Sequence, residues 1–200
     1  MKTSKITEFW SDFLSLASTL EKDYSRDSRI SEVDNLVNKL GDFSWEIGPD
    51  ENEHCLAFTI SPNCNPALLI ETKEIVGLAP DLEKWTFYYA VPPKKDWNMV
   101  FSINSSNENS IEVSAKEWEY VLFKYPDNKF EIIIKVIPEM NLTNDDLSFA
   151  VEILLKGILG EELYMEYIDN IEVVTDFELE LKSKKSTITT LGKMFSKMLF

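Results

Sequence analysis

"EWEYVLFKYPDNKFEIIIKVIP", residues 117–138, sets the architecture of this chain. Two β-rich runs flank Pro126-Asp127-Asn128-Lys129. That set favours a tight turn, because Pro presets its φ and Asn tolerates a left-handed backbone. On the return run Phe130, Ile132, Ile134 and Val136 occupy alternate positions and form one apolar face. A hairpin with one buried side is therefore predicted over 118–125 and 129–137, and Pro138 stops it. Downstream, Thr143 or Asn144 caps a helix with Asp145 and Asp146 in its first turn, where they complement the positive end of the helix dipole. Leu147, Ala150, Val151, Leu154, Leu155 and Ile158 recur at helical spacing. After Gly160 a short helix leads to a strand predicted over 171–181, with Ile171, Val173, Phe177 and Leu179 on one face.

The same order of elements stands earlier in the chain. Phe43, Trp45 and Ile47 alternate with polar residues, "GPDENE" supplies a turn, and Leu56, Phe58 and Ile60 share the face of a return strand. "SPNCNP" breaks that strand and a helix is predicted over 66–79, with Leu68, Leu69, Ile75, Val76 and Leu78 mostly inward. Pro80 ends it, and Trp85, Phe87, Tyr89 and Val91 form the next strand's apolar face. Between the halves, Met99, Phe101 and Ile103 lie opposite Ile111 and Val113 in a further hairpin. The chain thus reads as α+β, with two ββαβ-like units at 43–91 and 118–181 in a mostly antiparallel sheet, which suggests an internal duplication. A helical pair at 1–41 precedes them: Phe9, Trp10, Phe13, Leu14, Leu16, Ala17 and Leu20 form one stripe, and Ile30, Val33, Leu36, Val37 and Leu40 a second. Gly41 is suited to a left-handed C-terminal position there. A basic amphipathic tail at 182–200 follows them, and no flexible linker interrupts the 200 residues, so one integrated domain is expected.

Composition narrows the function classes. Twelve Phe, seven Tyr and five Trp supply a core, while six Gly and eight Pro are too few for a low-complexity chain. Cys55 and Cys64 cannot build a disulfide framework or a thiolate zinc site. The N-terminal stretch lacks the apolar core of a signal peptide, and no 18-residue apolar run stands anywhere, so a cytoplasmic protein without a membrane span is expected.

Charge is the most extreme property. The net charge is −15, and residues 161–180 hold eight acids and no base. Those eight, Glu161, Glu162, Glu166, Asp169, Glu172, Asp176, Glu178 and Glu180, are the candidate partner-binding residues. Such a field repels phosphate backbones and excludes direct nucleic-acid binding outside the short basic tail. It attracts a basic protein partner, although acidity by itself also serves solubility. Within the predicted last strand Glu172, Asp176, Glu178 and Glu180 alternate with the apolar set, so the phase places them outward. Like charges in a row repel, and a basic partner or the chain's own Lys182, Lys184 and Lys185 would relieve them.

Catalytic chemistry finds little support. His54 is the sole histidine and shares strand phase with Leu56 and Phe58, which suits a structural strand-end residue. Cys55 points to the opposite face from His54, which separates nucleophile from base, and Cys64 is borne on a loop. No glycine-rich phosphate loop, calcium loop or histidine cluster occurs, so no cofactor or metal is implied. In the tail, Leu191, Met194, Phe195, Met198 and Leu199 recur at helical spacing, with Lys193 and Lys197 off that stripe. That helix suits docking on the protein's own acidic surface or self-association through a Met-rich face, and suits a membrane less well.

The segments "AFTISPNCNPALL", "LAPDLEKWTFYYAVPPK", "EWEYVLFKYPDNKFEIIIKV" and "ILLKGILGEELYMEYIDNIEVV" together resemble a family of bacterial proteins of unknown function over residues 43–176. Shared features are strand-Ser-Pro before an Asn, Ala-Pro-x-Leu-x-x-Trp, and Leu-Gly-Glu followed by Ile-Glu. The resemblance implies a bacterial cytosolic protein of this architecture and no reaction. Two function classes follow. The first is a non-enzymatic interaction module, immunity-like toward a basic toxin or nuclease, with Trp97 or Trp118 as aromatic anchors. The alternative is a small-molecule binder or enzyme with a cleft between the ββαβ units lined by Trp85, Tyr88, Tyr89 and Trp118.

Overall fold

The structure is a computed structural model that describes residues 2–50, 55–104, 110–137 and 142–199. His54, Pro138 and the loop of the middle hairpin lie outside the described residues. The fold is α+β, and the chain divides into two compact units, residues 1–92 and 93–200.

The first unit runs α1 (Thr3–Leu20), α2 (Asp27–Leu40), β1 (Ser44–Pro49), β2 (Leu56–Ser61), α3 (Pro66–Gly77) and β3 (Trp85–Tyr88). Strand β2 is central, antiparallel to β1 and parallel to β3. The predicted apolar stripe of α1 packs on the sheet except for Leu14, which is exposed, as is Ile30 of the α2 stripe: Phe13 stacks on Phe58 with centroids 4.9 Å apart, and Trp10 meets Phe87 edge-on at 4.8 Å. The Trp10 indole donates to the Ile75 carbonyl at 2.8 Å, which ties α1 to α3 and satisfies the one polar atom of a buried ring. Gly41 does not take the expected left-handed conformation. Its φ of 167° is extended, and the glycine is needed instead because a Cβ would lie 2.9 Å from the Phe43 ring. Helix α3 also departs from expectation. Thr72 and Ile75 are its buried residues, whereas Ile70 and Leu78 are exposed, Leu78 because the helix has already ended at Gly77.

The second unit contains a hairpin of β4 (Val100–Asn104) and β5 (Ser110–Ser114), then β6 (Glu119–Lys124), β7 (Phe130–Lys135), α4 (Asn144–Leu159), α5 (Glu161–Tyr167), β8 (Ile168–Val174), β9 (Ser186–Thr187) and α6 (Leu191–Leu199). Phe101 faces Val113 and Ile103 faces Ile111, the pairing expected from the apolar alternation. The four-stranded sheet has the order β8-β7-β6-β9, with β8 parallel to β7 and the other pairs antiparallel. Each unit thus contains one ββαβ motif in which the last strand lies parallel to the second. The opening hairpin closes as predicted: Asn128 adopts φ 65°, and the Lys129 amide donates to the Asp127 carboxylate at 3.0 Å.

Phe130, Ile132, Ile134 and Val136 are essentially inaccessible, and α4 covers that face through Leu147, Ala150, Val151, Leu154 and Leu155. The expected cap forms as a reciprocal box, in which the Thr143 hydroxyl accepts from the Asp146 amide at 3.2 Å and Asp146 accepts from the Thr143 amide at 2.9 Å. The tail forms α6, but its apolar stripe is not laid on an acidic surface. Leu191 and Phe195 are buried, and the Phe195 ring packs on Phe130 with centroids 4.6 Å apart. The Lys124 ammonium donates to the Met198 carbonyl at 2.5 Å. Among the described residues no helix is long and apolar enough to cross a membrane.

Candidate functional site

The strand predicted over 171–181 ends at Val174, so Asp176, Glu178 and Glu180 do not line a strand. The physical reason lies in the next eleven residues. To pair β9 with β6, the chain must leave one edge of the sheet and cross its outer face to the other. There it makes turns in place of a strand: the Leu181 amide donates to the Glu178 carbonyl at 3.0 Å and the Lys182 amide to the same carbonyl at 3.3 Å. A turn of that kind brings positions four apart to one side, so Phe177 and Leu181 both pack on the sheet while Leu179 is 86% exposed.

Glu172 does follow its predicted phase. Ile171 and Val173 pack in the core opposite Ile132 and Ile134, and Glu172 lies exposed beside Ile133 on the outer face. Of the eight candidate acids, Glu166, Asp169, Glu172, Asp176, Glu178 and Glu180 are exposed, Glu162 is half-buried and Glu161 is only 2% exposed. Glu161, the one buried residue of α5, is therefore withdrawn from the surface a partner would meet.

The lysines of this face are largely spent inside it. Lys182 lies 2.8 Å from Asp176, Lys135 lies 3.9 Å from Asp176 and 3.3 Å from Glu119, and Lys185 lies 2.6 Å from Glu119. The Lys185 ammonium, with Lys135 behind it, holds the Glu119 carboxyl below its ordinary range against a partial desolvation that acts the other way. Lys182 chiefly lowers Asp176 in the same manner. Among the described residues no ion pair reaches Asp169, Glu172, Glu178 or Glu180.

Two phenols register the resulting field. The Tyr125 hydroxyl donates to Glu131, which also accepts from the Asn170 amide at 3.0 Å. That bond, with partial desolvation and the charges of Glu131 and Asp169, raises the Tyr125 pKa, and the same bond lowers that of Glu131. The Tyr167 pKa is likewise raised, first by its bond to Glu166 and also by the charge of Glu162. Glu119, Glu131 and Lys135 were not singled out in the sequence, although they occupy the phase opposite the apolar face of their strands. Only the parallel pairing of β8 with β7 shows that Asn170 and Glu172 join them.

The tryptophans singled out as anchors, Trp97 and Trp118, and as cleft lining, Trp85 and Trp118, lie elsewhere. Trp118 is 2% exposed in the second unit's core, and Trp85 is buried in the first unit's core. Trp97 is half-buried against Gly157, where a Cβ would come within 2.4 Å of its ring. Cys55 is half-buried, with its thiol 3.7 Å from the Asp50 carboxylate and 3.5 Å from the Thr86 hydroxyl, and Cys64 sits in the turn before α3 at φ 54°. A groove of about 310 Å³ between α1 and α2 is floored by Phe9, Leu36 and Leu40, and its rim charges Asp12 and Lys39 face each other at 3.7 Å. Among the described residues no group of three or more His, Cys, Asp or Glu is placed to hold a metal ion. Compared with protein-family models, curated proteins and solved structures, the chain matches none.

Proposed function

We propose that this chain is a protein-interaction module whose second unit presents an acidic face to a basic protein partner. The observation that carries this reading is the imbalance of that face. Lys135, Lys182 and Lys185 are held by Glu119 and Asp176 and Lys184 sits over the Phe123 ring, while Asp169, Glu172, Glu178 and Glu180 stay exposed with no ion pair among the described residues. Uncompensated charge of one sign steers an oppositely charged partner and raises its association rate. In its sharper form the partner is a basic toxin or nuclease that the chain neutralises, as an immunity protein does.

The test is affinity capture at low and high salt with the wild-type chain and with a variant carrying Glu172→Lys, Glu178→Lys and Glu180→Lys. Asp176 is left in place because it belongs to the ion pairs of the fold. The expected result is a basic protein retained by the wild type at low salt, weakened at high salt and lost with the reversed charges. Equal retention by both chains would rule out this face.

A further inference from the structure

Residues 175–185 connect β8 to β9 across the outer face of the sheet, and their anchorage is unusual for a segment that covers a core. The crossing spans three inter-strand spacings, about 14 Å, whereas eleven extended residues reach about 36 Å. The slack is taken up in turns whose backbone bonds stay inside the segment: Leu181 and Lys182 to Glu178, and Lys184 to Leu181. The Phe177 amide donates to its neighbour Asp176. The contacts that bind the segment to the sheet come from side chains. Two are apolar, Phe177 and Leu181, set on Val121 and Ile133. The rest are ionic or cation–π: Asp176 to Lys135, Lys185 to Glu119, and the Lys184 ammonium 5.6 Å above the Phe123 ring. Glu119 and Lys135 are themselves a directly opposed cross-strand pair, so one chain of charges runs from Lys185 through Glu119 and Lys135 to Asp176 and Lys182.

We infer that residues 175–185 are a detachable strap, latched over Val121 and Ile133 by the Glu119–Lys135–Asp176 ion pairs, that lifts and loses its short turns, which are too small to persist off the sheet, while the sheet beneath stays formed. Lifting it breaks none of the backbone bonds of the β6–β7 or β7–β8 ladders. It uncovers Val121, which is 2% exposed when the strap is closed, and Ile133, which is 7% exposed. The ionic part of the latch lies at a partly exposed surface, with Lys135 at 29% and Glu119 at 22%, and is therefore open to screening by salt. The strap also carries Glu178 and Glu180, so its opening would redraw the acidic face proposed above. That consequence rests on the functional reading, whereas the strap itself does not.

Hydrogen exchange on the full chain tests it at about 0.01 M and about 1 M salt, between which the screening length falls from about 30 Å to about 3 Å. The expected result is that amides of Leu181, Lys182 and Lys184 exchange several-fold faster at high salt while those of Val121 and Phe123, which face β7, and of Ile132 and Ile134, which face β8, keep their protection. Glu119→Gln, which removes the negative charge that holds both Lys135 and Lys185, should speed strap exchange already at low salt and reduce its salt dependence to what the Asp176 pairs with Lys135 and Lys182 retain. Phe177→Ala should loosen the strap at both salts. If strap and ladder amides exchange together at both salts, or if strap exchange ignores both salt and Glu119→Gln, the latch is overturned. The salt comparison on the unaltered chain decides even where a variant fails to fold.

Discussion

Gly157 shows how one side chain, or its absence, constrains the second unit. In a helix interior glycine is about 1 kcal/mol less favourable than alanine, so Gly157→Ala ought to stabilise α4. The Trp97 ring reverses that expectation, because the new Cβ would lie 2.4 Å from it while Lys94 sits on the same ring at 4.9 Å. Overpacking of this kind costs about 1–3 kcal/mol, so the variant should show a lower chemical-denaturation midpoint than wild type. Ionisable residues give a second prediction. Glu119, Glu131 and Asp176 all have folded pKa values below their unfolded ones, by bonds first to Lys185, Tyr125 and Lys182 respectively. Each therefore adds stability above the unfolded value of about 4, and that stability is lost as pH falls through the folded value. Tyr125 and Tyr167 are raised, so theirs is present below about 10 and lost as pH rises through the folded values. Denaturation midpoints should fall at both ends of the pH range, and Glu119→Gln should shrink the acid-side loss.

Helix α6 is held by its apolar side and little else. Phe195→Ala should cost about 3–5 kcal/mol of the second unit's stability, the usual price of emptying a buried aromatic site. Met194→Ser, on a residue 38% exposed, should fall within about 0.5 kcal/mol of wild type. Of the stripe read from spacing, Leu191 and Phe195 are buried and Met198 and Leu199 half-buried, while Met194 is exposed; all three hairpins and the Thr143 cap were likewise legible. What the stripe packs on was not legible, since Phe130 lies more than sixty residues away and only the strand order brings it there. The false strand over 171–181 has a different origin. Phe177, Leu179 and Leu181 mimic a period of two, but the connection must cross the sheet, and in a turn positions 177 and 181 pair while 179 faces out. Trp118 misled as an anchor because aromatic residues serve cores and interfaces by the same chemistry, and only burial separates the two uses.

For the molecule as a whole, the imbalance of 35 acids against 20 bases sets solution behaviour. Light scattering across a pH titration should peak near the isoelectric point of about 4.5, where self-repulsion vanishes, and fall on either side. The two units differ in when they can be completed. The first unit's core is made within residues 6–87, whereas the second unit's core includes Phe195. Proteins emerge from the ribosome N-terminus first, and domains fold as they become available. The first unit can therefore mature during translation, while the second waits, with Phe130 uncovered, until position 195 has left the exit tunnel. A nonsense codon at any point in 181–190 would yield a chain with a finished front half and a back half permanently open for chaperones and proteases to recognise.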